Sequence, residues 1–173
     1  MKALIVVDMQ NDFVTGNLGT PEARATVRKI KDKIKKEYNQ STDEIVFTQD
    51  SHYVRDWINN EKMEMKDVPV HCIKGTPGWC IVDALFPFAN NIVTKDNFGC
   101  LNWNDINPNL WTFIEIVGVC TDICVISNAL ILRALLPKAR IIVDASCCAG
   151  TTPEKHKAAL EVMKSCCIEV INE

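Results

Sequence analysis

The chain has 173 residues, a formal net charge of -3 at pH 7 and 47% hydrophobic residues. This length and hydrophobic content suffice for one buried core, so we predict a single domain over residues 1–173. Acidic and basic residues are mixed along the chain, which favours neither a nucleic acid nor an anionic membrane as a partner. No run reaches the roughly 18 consecutive apolar residues of a membrane span. The short apolar N-terminus is unlike a signal peptide, and we expect a cytoplasmic protein.

Six short runs rich in β-branched residues predict buried strands, and the stretches between them predict helices. The predicted helices begin at Pro21, at Asp122 and after the cap residue Thr152. This alternation indicates an α/β fold, a doubly wound, Rossmann-like, six-stranded parallel sheet with helices on both faces. The predicted strands cover residues 3–7, 45–48, 91–94, 114–119, 141–143 and 168–171.

The segment 51–88 has no clear periodicity, although it carries His52, His71, Trp57 and Trp79. Long irregular segments in a compact domain are more often functional than idle. We therefore predict that this segment is an insertion that binds a metal or a substrate.

Polar side chains and thiols follow the predicted strands at their carboxyl ends, where open parallel sheets bind ligands. These positions are far apart in the chain, yet the predicted sheet brings them to one edge. A functional site is therefore expected there. The side chains concerned are Asp8, Gln10, Asp50, His52, Lys95, Cys120, Cys124 and Asp144.

Cys124 differs from the other eight cysteines because it lies in the first turn of the predicted helix after the fourth strand. The helix dipole and Lys95 are expected to lower its pKa, and Asp8 could accept its proton. The backbone N–H groups of Cys120 and Cys124 could form an oxyanion hole. Each residue alone also fits a structural role, as a core thiol, a cap or a surface lysine. Together they are the parts that acyl transfer requires.

Four segments carry the most specific pattern, in the order LIVVDMQNDF, HCIKGTPGW, VTK and GVCTDICV. They resemble the isochorismatase-like cysteine hydrolases over nearly the whole chain. The resemblance implies a catalytic triad of Asp8, Lys95 and Cys124 and a cis peptide bond between Val119 and Cys120.

The DxH sequence after the second strand, with a later histidine, is similar to the nicotinamidase/pyrazinamidase branch of these hydrolases. That similarity implies a divalent metal, zinc first with iron or manganese as alternatives, held by Asp50, His52 and His71. Carboxylate and imidazole ligands suit such a borderline metal with open positions. Glu64 matches a further ligand of some members, with Glu61 as the alternative. The histidines alone also fit ordinary hydrogen-bonded loop residues.

The pocket residues implied by the resemblance are Phe13, Gln10 and Val119. The tryptophan that other members carry just before the second metal histidine is absent. A further aromatic wall is therefore expected from a different position, namely Trp57, Phe98 or Trp103.

The expected reaction is hydrolysis of a small amide, nicotinamide or pyrazinamide, to the acid and ammonia through a thioester. A related amidohydrolase acting on a carbamoyl or ureido compound is one alternative. A thiol redox sensor using Cys120 and Cys124 is an alternative of another class. The apolar helix 122–136 and the resemblance favour a homodimer or homotetramer.

Overall fold

The computed structural model describes residues 1–58, 66 and 68–173. Its centre is a six-stranded parallel sheet with the strand order β3-β2-β1-β4-β5-β6. The predicted doubly wound α/β fold is confirmed, and the chain changes direction across the sheet between β1 and β4. The strands are β1 Lys2–Val7, β2 Glu44–Asp50, β3 Asn91–Lys95, β4 Phe113–Val119, β5 Arg140–Ala149 and β6 Glu169–Ile171.

Helices cover the sheet, and alternate residues of β1 face opposite layers. Leu4 packs in one apolar cluster with Ile30, whereas Ile5 packs in a second cluster with Leu132 and Met163. Strands buried on both faces are apolar throughout, which is why β1 reads as a continuous hydrophobic run. The α-helices are α1 Asn11–Val14, α2 Pro21–Glu37, α3 Val54–Ile58, α4 Ile126–Leu135 and α5 Pro153–Ser165.

The two long surface helices begin at the residues that the sequence indicates. The Thr20 side chain accepts a hydrogen bond from the Ala23 N–H at 3.0 Å, and Thr152 accepts one from the Lys155 N–H at 3.2 Å. A proline follows each cap, in the first helical position where no backbone N–H is needed. Local sequence therefore determines these two starts.

Two predicted elements differ from the observed ones. The fifth strand continues through Ala149, because residues 148 and 149 pair with β4 beyond a register shift between Ile116 and Gly118. Asp144 therefore lies within β5 instead of at its end. The predicted helix 122–136 is divided into a π-helical turn, Thr121–Val125, and α4.

The predicted insertion 51–88 contains α3 and two 3-10 turns, Pro77–Trp79 and Phe86–Phe88. His52 forms an isolated bridge with Ile73, which ties the start of the segment to its later part. Glu61 and Glu64 lie outside the described residues. No described helix is both long enough and apolar enough to cross a bilayer.

Candidate active site

The carboxyl ends of four adjacent strands converge at one edge of the sheet. Asp8 follows β1, Asp50 ends β2 and Lys95 ends β3, where Asp50 and Lys95 are direct register partners. Cys124 belongs to the π-helical turn after β4, and all four side chains are buried. The peptide bond between Val119 and Cys120 is cis.

Lys95 lies at the centre of this edge. Its Nζ is 2.7 Å from Asp8 Oδ2, 3.2 Å from Asp50 Oδ1 and 3.7 Å from Cys124 Sγ. The same ammonium donates a hydrogen bond to the Asn97 carbonyl at 3.1 Å. The structure thus brings the three predicted triad residues together around one cation.

Asp50 also faces two histidines on the other side. Its Oδ2 lies 2.8 Å from His52 Nε2 and 3.4 Å from His71 Nε2, and one ligand atom from each residue lies within 4.8 Å of the others. The Nδ1 of His71 is 2.8 Å from the Pro69 carbonyl. Because a carbonyl can only accept, this Nδ1 carries a proton, and in the neutral imidazole the Nε2 lone pair is then free for a metal. One carboxylate and two convergent imidazoles fit a divalent metal.

Trp57 supports the two histidines from behind. Its ring meets those of His52 and His71 edge-on, with centroids 5.5 and 5.4 Å apart, and its Nε1 donates to the Val68 carbonyl at 3.0 Å. Trp57 does not line the cavity beside Cys124 that is described below, and neither does Trp103, which is fully buried against Trp111.

A cavity of about 340 Å³ opens beside these groups. Most of its walls are apolar, and the reactive end contains Asp50, His52, His71 and Cys124. This combination suits a small, mainly apolar ligand with one reactive polar group. Among the described residues, the other walls are formed by Phe13, Leu18, Thr20, Ala23, Val68, Pro69, Phe98, Val119, Cys120, Ile123, Ala149, Gly150 and Thr151.

Comparison with known proteins identifies the family. The isochorismatase domain matches residues 2–173. The chain belongs to the isochorismatase family. Its relatives include the nicotinamidase/pyrazinamidase of Mycobacterium tuberculosis, which is 28% identical over 99% of this chain and 98% of that protein. An uncharacterized isochorismatase family protein of Bacillus subtilis is 30% identical over 92% of both.

Solved structures of this isochorismatase family share the fold. The pyrazinamidase/nicotinamidase of Streptococcus mutans has a TM-score of 0.84 at 29% identity, covering 99% of this chain and 100% of that one. The pyrazinamidase of Pyrococcus horikoshii in complex with zinc has a TM-score of 0.80 at 28% identity, covering 99% of each. The family and branch predicted from the motifs are confirmed, and the chain is a hydrolase.

Burial dominates the electrostatics of this isochorismatase-family site. It raises the pKa of Cys124 well above its usual range, and Lys95 only opposes that effect. The expected lowering of the thiol pKa by the helix dipole and Lys95 is therefore outweighed. Burial also raises the pKa of Asp8 against the pull of Lys95. Burial accordingly favours the thiol form of Cys124 over the thiolate.

Lys95 and Asp50 are held in their charged forms. Burial alone would lower the pKa of Lys95, but Asp8, Cys124 and Asp50 outweigh it and raise that pKa well above its usual range. Burial alone would raise the pKa of Asp50, but Lys95 and His52 hold it well below its usual range. The site thus keeps a cation beside the thiol and an ionised carboxylate beside the histidines.

Thr48, which the sequence reasoning missed, fixes the orientation of Asp8. Its hydroxyl donates to Asp8 Oδ1 at 2.6 Å and accepts from the Asp8 N–H at 3.1 Å, where Asp8 has a φ of 49°. Asp8 Oδ2 lies 2.7 Å from the Lys95 ammonium, and a carboxylate oxygen with one such contact has a second lone pair that can accept a proton. In the sequence, the only indication of this role is that Thr48 places a hydroxyl group in an otherwise apolar predicted strand.

Gln10 lies behind the site instead of lining the cavity. Its amide nitrogen donates to the carbonyls of Asp50 and Trp79 at 2.8 and 2.9 Å, and its oxygen accepts from the Asp50 N–H at 2.7 Å. Gln10 therefore holds the end of β2 that presents Asp50. The predicted pocket residues Phe13 and Val119 do line the cavity, as do both residues of the predicted oxyanion hole, Cys120 and Cys124.

Proposed function

We propose that this hydrolase of amide C–N bonds converts nicotinamide, and its analogue pyrazinamide, to the acid and ammonia through a thioester on Cys124. The observation that carries the proposal is the position of the Lys95 ammonium, within reach of both Asp8 Oδ2 and the Cys124 sulfur beside the cavity. Relatives named nicotinamidase or pyrazinamidase, which align with nearly the whole chain, support the substrate.

The first half of the reaction forms the thioester. Asp8 takes the proton of the Cys124 thiol while the sulfur attacks the carboxamide carbon. The Lys95 ammonium stabilises the negative charge that develops nearby, and the N–H groups of Cys120 and Cys124 are the proposed donors to the oxyanion. The C–N bond then breaks, and Asp8 returns its proton to the nitrogen, which leaves as ammonia.

The second half releases the acid. A water molecule attacks the thioester carbon, and Asp8 accepts a proton from that water. The C–S bond breaks, the proton returns to the Cys124 sulfur, and the carboxylic acid leaves. Amide and water are thus converted to acid and ammonia, with Asp8 carrying one proton in each half.

Asp50, His52 and His71 would hold the divalent metal, which we propose to be zinc, with iron or manganese as alternatives. When bound, such an ion supplies a Lewis acid that anchors the ring nitrogen of the substrate. The zinc complex of the Pyrococcus horikoshii relative supports this assignment. Glu64 or Glu61 as a further ligand stays a prediction, as do the cytoplasmic location, the homo-oligomeric state and the lack of nucleic-acid or membrane partners.

Ammonia release from nicotinamide by the metal-loaded protein tests the proposal. We expect Cys124→Ala to lower kcat at least about 10³-fold, because the thioester cannot form. Replacing the exposed Cys167 by alanine should leave kcat unchanged. Mass spectrometry of rapidly quenched wild type should detect the acyl adduct on Cys124.

Two outcomes would contradict different parts of the proposal. Full activity of Cys124→Ala would exclude the thioester. An active wild type that hydrolyses ureido or carbamoyl compounds but not nicotinamide would exclude the substrate and favour the alternative amidohydrolase.

A further inference from the structure

We propose that His156 is a positioning residue for the nucleophile, acting through Thr121 on the turn that carries Cys124. The inference rests on the proposed function in taking Cys124 as the nucleophile. We call residues Thr121–Val125 the nucleophile turn. His156 lies in the first part of α5 and does not line the cavity beside Cys124.

The contact with His156 is made by the first residue of the nucleophile turn. Thr121 is fully buried, and its Oγ1 lies 2.8 Å from His156 Nδ1. The carbonyl of Thr121 also accepts the N–H of Ile126, so the hydrogen bond that closes the turn encloses Cys124. A displacement of Thr121 therefore changes the backbone that places the sulfur.

The next residue of the turn is fastened to the same region of the chain. Asp122 accepts from the Thr151 N–H at 2.8 Å with Oδ1 and from the Thr151 hydroxyl at 2.6 Å with Oδ2. Glycine at position 150 permits this approach, since a Cβ there would lie 2.9 Å from both Asp122 Oδ1 and the backbone nitrogen of His156. The nucleophile turn is thus held from one side by two independent side-chain contacts.

The chemistry of His156 suits a structural hydrogen bond. Burial lowers its pKa, and the attraction of Asp122 does not reverse that effect. A neutral imidazole has one ring nitrogen that accepts, so the Thr121 hydroxyl can donate to Nδ1. Such a directional bond holds the threonine rotamer without adding charge near the thiol.

The size of the effect follows from the geometry of the reaction. The sulfur must stay close to the Lys95 ammonium, now 3.7 Å away, and to the proton-accepting Asp8. A misplacement of about 1 Å can cost about 10²-fold in rate. Loss of one of the two side-chain contacts that hold the nucleophile turn should therefore lower kcat by about 10- to 100-fold and change KM by less than about 3-fold.

The test compares four single variants of the metal-loaded protein, and the double variant His156→Ala/Thr121→Val, with wild type. His156→Ala removes the contact, His156→Asn offers an oxygen near the position of Nδ1, and Thr121→Val removes the hydroxyl. Lys157→Ala, on the exposed side of the same helix, is the matched control. The measurements are kcat and KM for ammonia release, the melting temperature, and the rate at which iodoacetamide alkylates Cys124, resolved by mass spectrometry.

We expect His156→Ala and Thr121→Val to lower kcat and to change the alkylation rate of Cys124, with His156→Asn restoring both. The double variant should be no worse than Thr121→Val alone, because the two residues act through one bond. Wild-type kcat and alkylation in His156→Ala would overturn the proposal. A lower melting temperature of His156→Ala without any change in the alkylation rate of Cys124 would also overturn it, as would a failure of His156→Asn to restore kcat.

The alkylation rates separate this inference from the proposed substrate. If wild type releases no ammonia from nicotinamide, the proposed function fails. A changed alkylation rate in His156→Ala, restored in His156→Asn, would still support the positioning role of His156.

Discussion

The molecule contains two buried lysine clusters that differ in one respect. Lys95 at the sheet edge and Lys33 on the buried face of α2 are each 6% exposed, and each ammonium contacts two buried acidic side chains. Lys33 also contacts the exposed Glu37 at 3.0 Å. Lys33 Nζ lies 2.8 Å from Glu115 Oε1 and 2.8 Å from Asp144 Oδ2. Each cluster thus surrounds one buried ammonium with two buried carboxylates.

The difference lies in what else each ammonium reaches. In the Lys33 cluster, the Tyr38 hydroxyl donates to Glu115 Oε2, and Ser146 donates to Asp144 Oδ1 from its N–H and its hydroxyl. In the Lys95 cluster, the Thr48 hydroxyl donates to Asp8 Oδ1 in a similar way, but the ammonium also lies 3.7 Å from the Cys124 sulfur, which lines the cavity. The proposed function therefore depends on a thiol and a cavity beside the buried charges, and not on the buried charges alone.

The largest contrast is expected when each lysine is replaced by methionine. Lys95→Met should lower kcat by about 10³-fold or more, because the cation that stabilises the thiolate is gone. Lys33→Met should leave kcat per folded molecule unchanged but lower the free energy of unfolding by about 3–5 kcal/mol, since it leaves two carboxylates buried without a cation. Active-site titration and urea unfolding separate the two effects. Loss of kcat in folded Lys33→Met would break the distinction between the clusters.

The positions of the strands and of the acidic residues at their ends could be predicted from the sequence. Strands of parallel sheets are buried runs of β-branched residues, and their carboxyl ends meet at one edge of the sheet. The sequence motifs then predicted Asp8, Lys95 and Cys124 as a triad, and the fold does bring these residues together. Asp144 was misplaced because β5 continues past it. That continuation depends on pairing with β4, which is remote in the chain.

Three other features of the site could not be predicted from the sequence, because they too depend on contacts between residues remote in the chain. Gln10 looked like a pocket residue beside the first strand, but its partners include the carbonyl of Trp79 on a distant loop. Thr48 resembled an ordinary strand residue. The raised pKa of Cys124 comes from burial that only the folded chain creates. Tertiary contacts, and not local propensity, decide these properties.

A smaller contrast should appear between the hydroxyl groups that complete each cluster. Thr48→Val removes the donor to Asp8 Oδ1 and should lower kcat by about 10-fold, because the base loses its fixed orientation. Tyr38→Phe removes the donor to Glu115 and should cost about 1–2 kcal/mol of stability with no change in kcat. Steady-state kinetics and urea unfolding of both variants give the comparison. An unchanged kcat in Thr48→Val would show that Asp8 needs no such support.

The smallest expected effect concerns acid stability and tests whether the Lys33 cluster is an ion pair. Burial alone would raise the pKa of Asp144, but Lys33 and Ser146 outweigh it and hold that pKa below the unfolded value of 3.8. The ionised carboxylate therefore stabilises the fold above about pH 3.8, and this contribution is lost as the pH falls through the folded pKa. Asp144→Asn should be less stable than wild type at pH 7 by about 1–3 kcal/mol, and this difference in the free energy of unfolding should narrow below pH 4.

Urea unfolding at pH 7, 5, 4 and 3 measures this difference, with the exposed Asp105→Asn as the control that should follow wild type. A constant gap at every pH would mean that Asp144 acts through packing and hydrogen bonds, and that only the Lys95 cluster depends on charge.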